Sequence, residues 1–94
     1  MTLNDVTFNY VKVKHPSVKK PVYLEQAKIV TKGDYTFITG YEIGKDCEPK
    51  IIKGGGVLHL LQLGEGVELI EQTCNKMYCE LEDTERKITF QEAV

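Results

Sequence analysis

The residues with the widest chemical range in this chain are three cysteines, Cys47, Cys74 and Cys79, and two histidines, His15 and His59. Cys47, Cys74, Cys79 and His59 together have the ligand count of a tetrahedral Cys₃His zinc centre. Strong zinc sites arrive as two close ligand pairs, and here only Cys74 and Cys79 lie near each other in sequence. Cys79 also falls on one alternating set with Met77 and Leu81, where a cysteine acts as a small hydrophobe. The expected state is therefore buried or idle thiols, with no metal and no cofactor. A nucleophilic cysteine served by His15 or His59 has no supporting local pattern. Lys53-Gly54-Gly55-Gly56 has the glycine content of a phosphate loop. It lacks the Gly-Lys-Ser/Thr that closes such a loop, and it reads as a flexible connector. Glu80 and Glu82 fall on the face of a strand expected to be wet, and a solvated carboxylate has no cause for a catalytic pKa. The expectation is a protein that is not an enzyme.

Charge offers two surfaces instead. Lys12, Lys14, His15, Lys19 and Lys20 are close together near the start, whereas Glu65, Glu68, Glu71, Glu80, Glu82, Asp83, Glu85 and Glu92 load the second half with acid. The sequence thus has a basic N-terminal end and an acidic C-terminal end. An acidic face that includes Glu80, Glu82, Asp83 and Glu85 suits a protein-interaction module, of accessory or inhibitory type, that acts by occupying a partner protein. The alternative is a small-barrel nucleic-acid binder in which Lys12, Lys14, Lys19 and Lys20 meet phosphate and Tyr10, Tyr23, Tyr35 or Tyr41 stack on bases. A net charge of −2 disfavours the second reading, since it gives no overall attraction to a phosphate backbone. The one arginine, Arg86, sits among the acids and not in the basic cluster.

These surfaces must be held by short strands. Val22 to Thr31 and Tyr35 to Ile43 flank Lys32-Gly33-Asp34, a polar break with a glycine for positive φ, which predicts a β-hairpin. A two-residue loop at Lys32-Gly33 would put Leu24 opposite Tyr41 and Val22 opposite Ile43. A three-residue loop would put Ile29 opposite Phe37 and Tyr23 opposite Ile43. Such a slip exchanges the faces of the strand, and the residues do not choose. Upstream, Val6, Phe8 and Tyr10 alternate on one set and Val11 and Val13 on the other, the signature of a bulged or coiled strand. Pro16 and Pro21 make the next segment a loop. Gly40 would permit a strong bend in its strand. Val57 to Leu63 is apolar on both faces, either a buried strand or a short helix, and Val67 to Thr73 reads equally as a strand or a short helix ending near Asn75. Met77 to Glu82 and Lys87 to Gln91 suggest a second hairpin around 83–86, with Leu81 opposite Ile88, Cys79 opposite Phe90 and Glu82 beside Lys87.

The succession of short strands resembles the architecture of SH3-like and OB-like barrels, a likeness that implies a fold and no particular function. The expected fold is mainly β: a small antiparallel sheet or partly open barrel of five to six strands, with a short helix near 66–74 as the variant. At 94 residues the chain is expected to form a single domain, 1–94. No apolar run is long enough for a transmembrane helix, so no membrane association is expected. The opening MTLNDVTF lacks the layout of a secretion signal, and the odd cysteine count points to reduced thiols, together implying a cytoplasmic protein. A small sheet leaves edges to be protected, which makes a homo-oligomer through an edge strand a further expectation.

Overall fold

The computed structural model describes residues 7–89. Its elements are β1 (Thr7–Lys14), β2 (Val22–Lys32), β3 (Tyr35–Ile43), β4 (Ile51–Ile52), β5 (Gly55–Gly56), β6 (Leu58–Gln62), β7 (Glu68–Asn75) and β8 (Glu80–Lys87). Six of them form one sheet in the order β6-β3-β2-β1-β7-β8, and β4 and β5 make a separate two-stranded sheet. All pairings are antiparallel. Among the described residues the main sheet does not close into a barrel, and β6 and β8 are its edges.

The first hairpin turns on Gly33 and Asp34, because Lys32 pairs with Tyr35. Gly33 takes φ +60 at the first central position, the requirement of a two-residue turn that a glycine meets without steric cost. Near the turn Ile29 is opposite Ile38, a register neither sequence alternative contained. Farther along, Tyr23 is opposite Ile43, as the three-residue loop predicted. A bulge between Glu25 and Lys28 reconciles the two: Gln26, at φ +52, and Ala27 together oppose the single residue Gly40. Gly40 is needed for space. A Cβ there would lie 3.0 Å from Leu24 Cβ, 3.1 Å from the Glu25 carbonyl oxygen and 3.3 Å from Ala27 Cα.

The bulge moves the apolar set by one residue, so Leu24 and Ala27 face the same core although three positions separate them. The neighbouring strand changes phase at the same place, bringing Phe8 and Val11 to one face; the expected change of set in β1 falls between Phe8 and Tyr10 and not at Tyr10-Val11, so Tyr10 does not share a face with Phe8. Val11, Val13, Val22, Leu24, Ala27, Ile29, Ile38, Leu63 and Leu69 form the buried cluster. Val6 and Phe90, which entered the sequence patterns, lie outside the described residues.

Three expectations are corrected. The segment near 66–74 is the strand β7 and not a helix, since it is sandwiched between β1 and β8 and its backbone groups are committed to their ladders. Val57 to Leu63 contains the edge strand β6 and is not a buried one, with Leu58 and Leu60 more than half exposed. The last hairpin is displaced: it turns at 76–79, and residues 83–86 lie inside β8. Asn75 starts that turn, its side-chain oxygen accepting from the Met77 N–H at 3.1 Å and its carbonyl from Tyr78 N–H at 3.2 Å. Glu82 consequently faces Thr73 and Lys87 faces Ile70, so the expected Glu82–Lys87 pair does not form. A run of acids is compatible with a strand when that strand is a solvated edge.

Candidate functional site

The acidic residues singled out from the sequence are gathered on β8. Among the described residues only β7 pairs with this strand, and Glu80, Glu82, Asp83 and Glu85 are all exposed on it. Their surroundings differ. Asp83 accepts from the Gln72 Nε2 amide at 2.8 Å and from Lys12 Nζ at 3.1 Å. The Gln72 hydrogen bond first, and Lys12 second, hold the Asp83 carboxyl below its usual range. Gln72 is itself buried, and its amide oxygen has no partner among the described residues. Glu82 accepts a long bond from the Asn75 amide at 3.3 Å. Glu85 has φ +61 where the β7–β8 ladder slips between Ile70 and Gln72.

The basic residues are divided. Lys12 is drawn onto Asp83 with its side chain 16% exposed. Lys14 stands 3.8 Å from Glu68, which Lys87 also approaches at 3.0 Å. Lys87 is the main reason that the Glu68 carboxyl is shifted down, with Lys14 adding to it. Lys19 and Lys20 remain in the exposed loop after β1. The basic and acidic ends of the sequence are thus not two poles of the molecule, because antiparallel pairing of β1 with β7 sets Lys14 directly opposite Glu68.

The cysteines depart from expectation. Cys47 and Cys74 are disulfide-bonded, with their Cα atoms 6.4 Å apart, so the reading of all three as reduced thiols is overturned. The bond ties the 44–48 segment to β7, and the Leu81 N–H donates to the Lys45 carbonyl at 2.7 Å beside it. Ile43 and Leu81 are buried here, outside the main core cluster. Sequence separation concealed this pair, which fold topology alone brings together. Cys79 is free and exposed in the β7–β8 turn, not packed among apolar residues.

Neither histidine turns toward sulfur. His59 Nε2 is 2.6 Å from Glu42 Oε1, and Lys50 Nζ reaches the other Glu42 oxygen at 2.9 Å. Burial alone would raise the Glu42 pKa, but the His59 and Lys50 contacts together outweigh it and the net shift is downward. His15 Nε2 donates to the Gln62 carbonyl at 2.9 Å, which leaves Nδ1 to accept from the Ser17 N–H and hydroxyl. Among the described residues no three His, Cys, Asp or Glu side chains are grouped to hold a metal ion.

One surface was not foreseen. Register places Tyr10, Glu25, Tyr41 and Leu58 in a row across four strands, on the face opposite the core. Leu60 lies beside this row with Leu58, and both are well exposed. Gly56 of the β4–β5 hairpin abuts the Tyr41 ring, where an added Cβ would be 3.2 Å from Cδ1. The hairpin turns at Lys53 and Gly54, with φ +50 and +82, and carries Ile51 and Ile52, each 65% exposed. The glycine run is therefore an ordered turn and strand in this structure. No protein-family model matches the chain, and neither a curated protein nor a solved structure shows detectable similarity to it.

Proposed function

We propose that the protein is a non-catalytic interaction module, of accessory or inhibitory type, that offers its acidic edge strand β8 to a basic, extended segment of another protein. The observation that carries this reading is the position of Glu80, Glu82, Asp83 and Glu85 on a strand with one neighbour in the sheet among the described residues. An added strand would gain main-chain hydrogen bonds from the edge beyond Leu81, whose own N–H is given to Lys45, and its lysines or arginines would gain register from the carboxylates of Glu80 and Glu82 on one side of the strand. The Asp83 carboxyl is biased toward ionisation, the condition for a charge surface and the reverse of what a general acid needs.

A nucleic-acid reading has one observation in its favour: Tyr10, Tyr23 and Tyr41 share a face with Lys12. Against it, Lys12 and Lys14 are already paired with Asp83 and Glu68, and Glu25 lies between Tyr10 and Tyr41.

The test is affinity capture with tagged protein, with and without nuclease, followed by binding of the purified partner. Replacing Glu80, Glu82 and Glu85 with Lys, leaving Asp83 to hold Lys12, should abolish binding and its salt dependence. Capture that collapses with nuclease, and with Lys12, Lys14, Lys19 and Lys20 changed to Ala, establishes the nucleic-acid reading instead.

A further inference from the structure

The other edge of the sheet has the opposite character. In the β3–β6 ladder the Glu42 N–H donates to the Val57 carbonyl at 2.7 Å and the Leu63 N–H to the Thr36 carbonyl at 2.8 Å. Alternation along an antiparallel pair then directs the backbone groups of His59 and Leu61 toward β3, and those of Leu58, Leu60 and Gln62 toward the open edge. The Gln62 carbonyl confirms the phase, because it is taken by His15 from outside the strand. His15 thereby caps one end of the edge and leaves Leu58 and Leu60 presenting N–H and C=O groups that no described residue pairs with.

We infer that this edge pairs with a second copy of the chain, β6 against β6 across a two-fold axis at His59. Leu58 of one protomer then stands opposite Leu60 of its partner. The outward groups of both residues are satisfied reciprocally, and the ladder does not require the capped Gln62 carbonyl. The same step brings together the exposed side chains of Leu58 (60%) and Leu60 (53%) from the two copies, flanked by Tyr41 (42%). Charge selects a copy of itself as the occupant. The stretch Leu58–Gln62 contains no Asp, Glu, Lys or Arg, and His59 is held by Glu42, so two copies meet without like-charge repulsion. Edge β8 carries acids that would repel a second β8. An apolar patch of this kind covers on the order of 400 Å². That is about half of the roughly 800 Å² per partner of a standard interface, which places the dimer in the weak, reversible class.

The experiment is sedimentation across roughly 5–500 µM in a Cys79→Ser background, which removes the free thiol as a route to covalent pairing. The expected result is a reversible rise from the 10.7 kDa monomer toward twice that mass. Leu60→Lys should weaken association by more than about tenfold, since it desolvates two cations at the dyad, while Glu80→Lys on β8 should leave association intact. Hydrogen exchange at the Leu58 and Leu60 amides should slow as concentration rises. A monomer mass throughout, or a dimer that survives Leu60→Lys, overturns the inference. Loss of the dimer in Glu80→Lys assigns the contact to β8 and overturns it equally. Because Leu60 is exposed, a thermal melt of Leu60→Lys matching the parent excludes misfolding as the cause.

Discussion

Replacing Gly40 with Ala tests the bulge directly. The new methyl would meet Leu24 Cβ at 3.0 Å, the Glu25 carbonyl oxygen at 3.1 Å and Ala27 Cα at 3.3 Å. Two of these three atoms are backbone, and Leu24 is fully buried, so no flexible side chain can swing away. Overpacking of this kind costs about 1–3 kcal/mol. The lost chain freedom of glycine in the unfolded state offsets about 0.4–1 kcal/mol of it. A net destabilisation of about 1–2 kcal/mol should lower Tm by roughly 5–15 °C in a domain of this size. Gly64→Ala provides the internal control, because a Cβ there has nothing within 4 Å and the backbone is not left-handed. It should be neutral or stabilising by up to about 1 kcal/mol. The assay is a pair of denaturant and thermal melts against the parent. Gly40→Ala melting at or above the parent would refute the two-against-one geometry at Gln26-Ala27.

Three other outcomes are expected. Cys47 and Cys74 are 27 positions apart, a loop whose closure entropy corresponds to about 3.5 kcal/mol, so reduction or the Cys47→Ser/Cys74→Ser variant should lower denaturant stability by about 2–4 kcal/mol; equal midpoints with and without reductant would exclude that constraint. Asp83, Glu68 and Glu42 have folded pKa values below their unfolded ones, so their contribution is complete above about pH 5 and fades as pH falls through the folded values. Asp83→Asn should flatten that acid limb, and an unchanged pH–stability profile would count against the Gln72–Asp83–Lys12 arrangement. A double-mutant cycle on Lys12→Ala and Asp83→Ala should give a coupling near the upper end of the ~0.2–1 kcal/mol found for exposed pairs, given how far Lys12 is covered; coupling indistinguishable from zero would show that the pair adds nothing.

The mainly antiparallel β character was legible because turn residues and β-branched or aromatic runs are local signals. Gly33 marked its turn, and the switch of apolar set read at Tyr10-Val11 announced a step in β1, although the step falls one pair earlier, between Phe8 and Tyr10. What stayed hidden depends on the partner of a strand. Residues 83–86 look like a loop until β8 is known to be an edge, where charge is tolerated on the open side. Val67 to Thr73 is ambiguous in isolation and becomes a strand because β1 and β8 claim its backbone. The acidic candidates are brought together on one strand, β8, but the commitment of Asp83 to Lys12 spans 71 positions. The disulfide and the neutral leucine edge share that origin, since each is defined by strand order and not by spacing.

The strand order also divides the molecule in folding time. Pairings among β1, β2, β3 and β6, and between β7 and β8, link strands near in sequence, whereas β1 and β7 meet through residues such as Val11 and Glu71. Closing that seam requires a loop of the intervening chain, and its entropic cost delays the contact until the local pieces exist. On sequence separation alone the terminal hairpin is therefore expected to dock last and to open first. Cys47–Cys74 crosses the same seam through a much shorter loop. Oxidation thus sets how far the peeled hairpin can travel before it finds its place again.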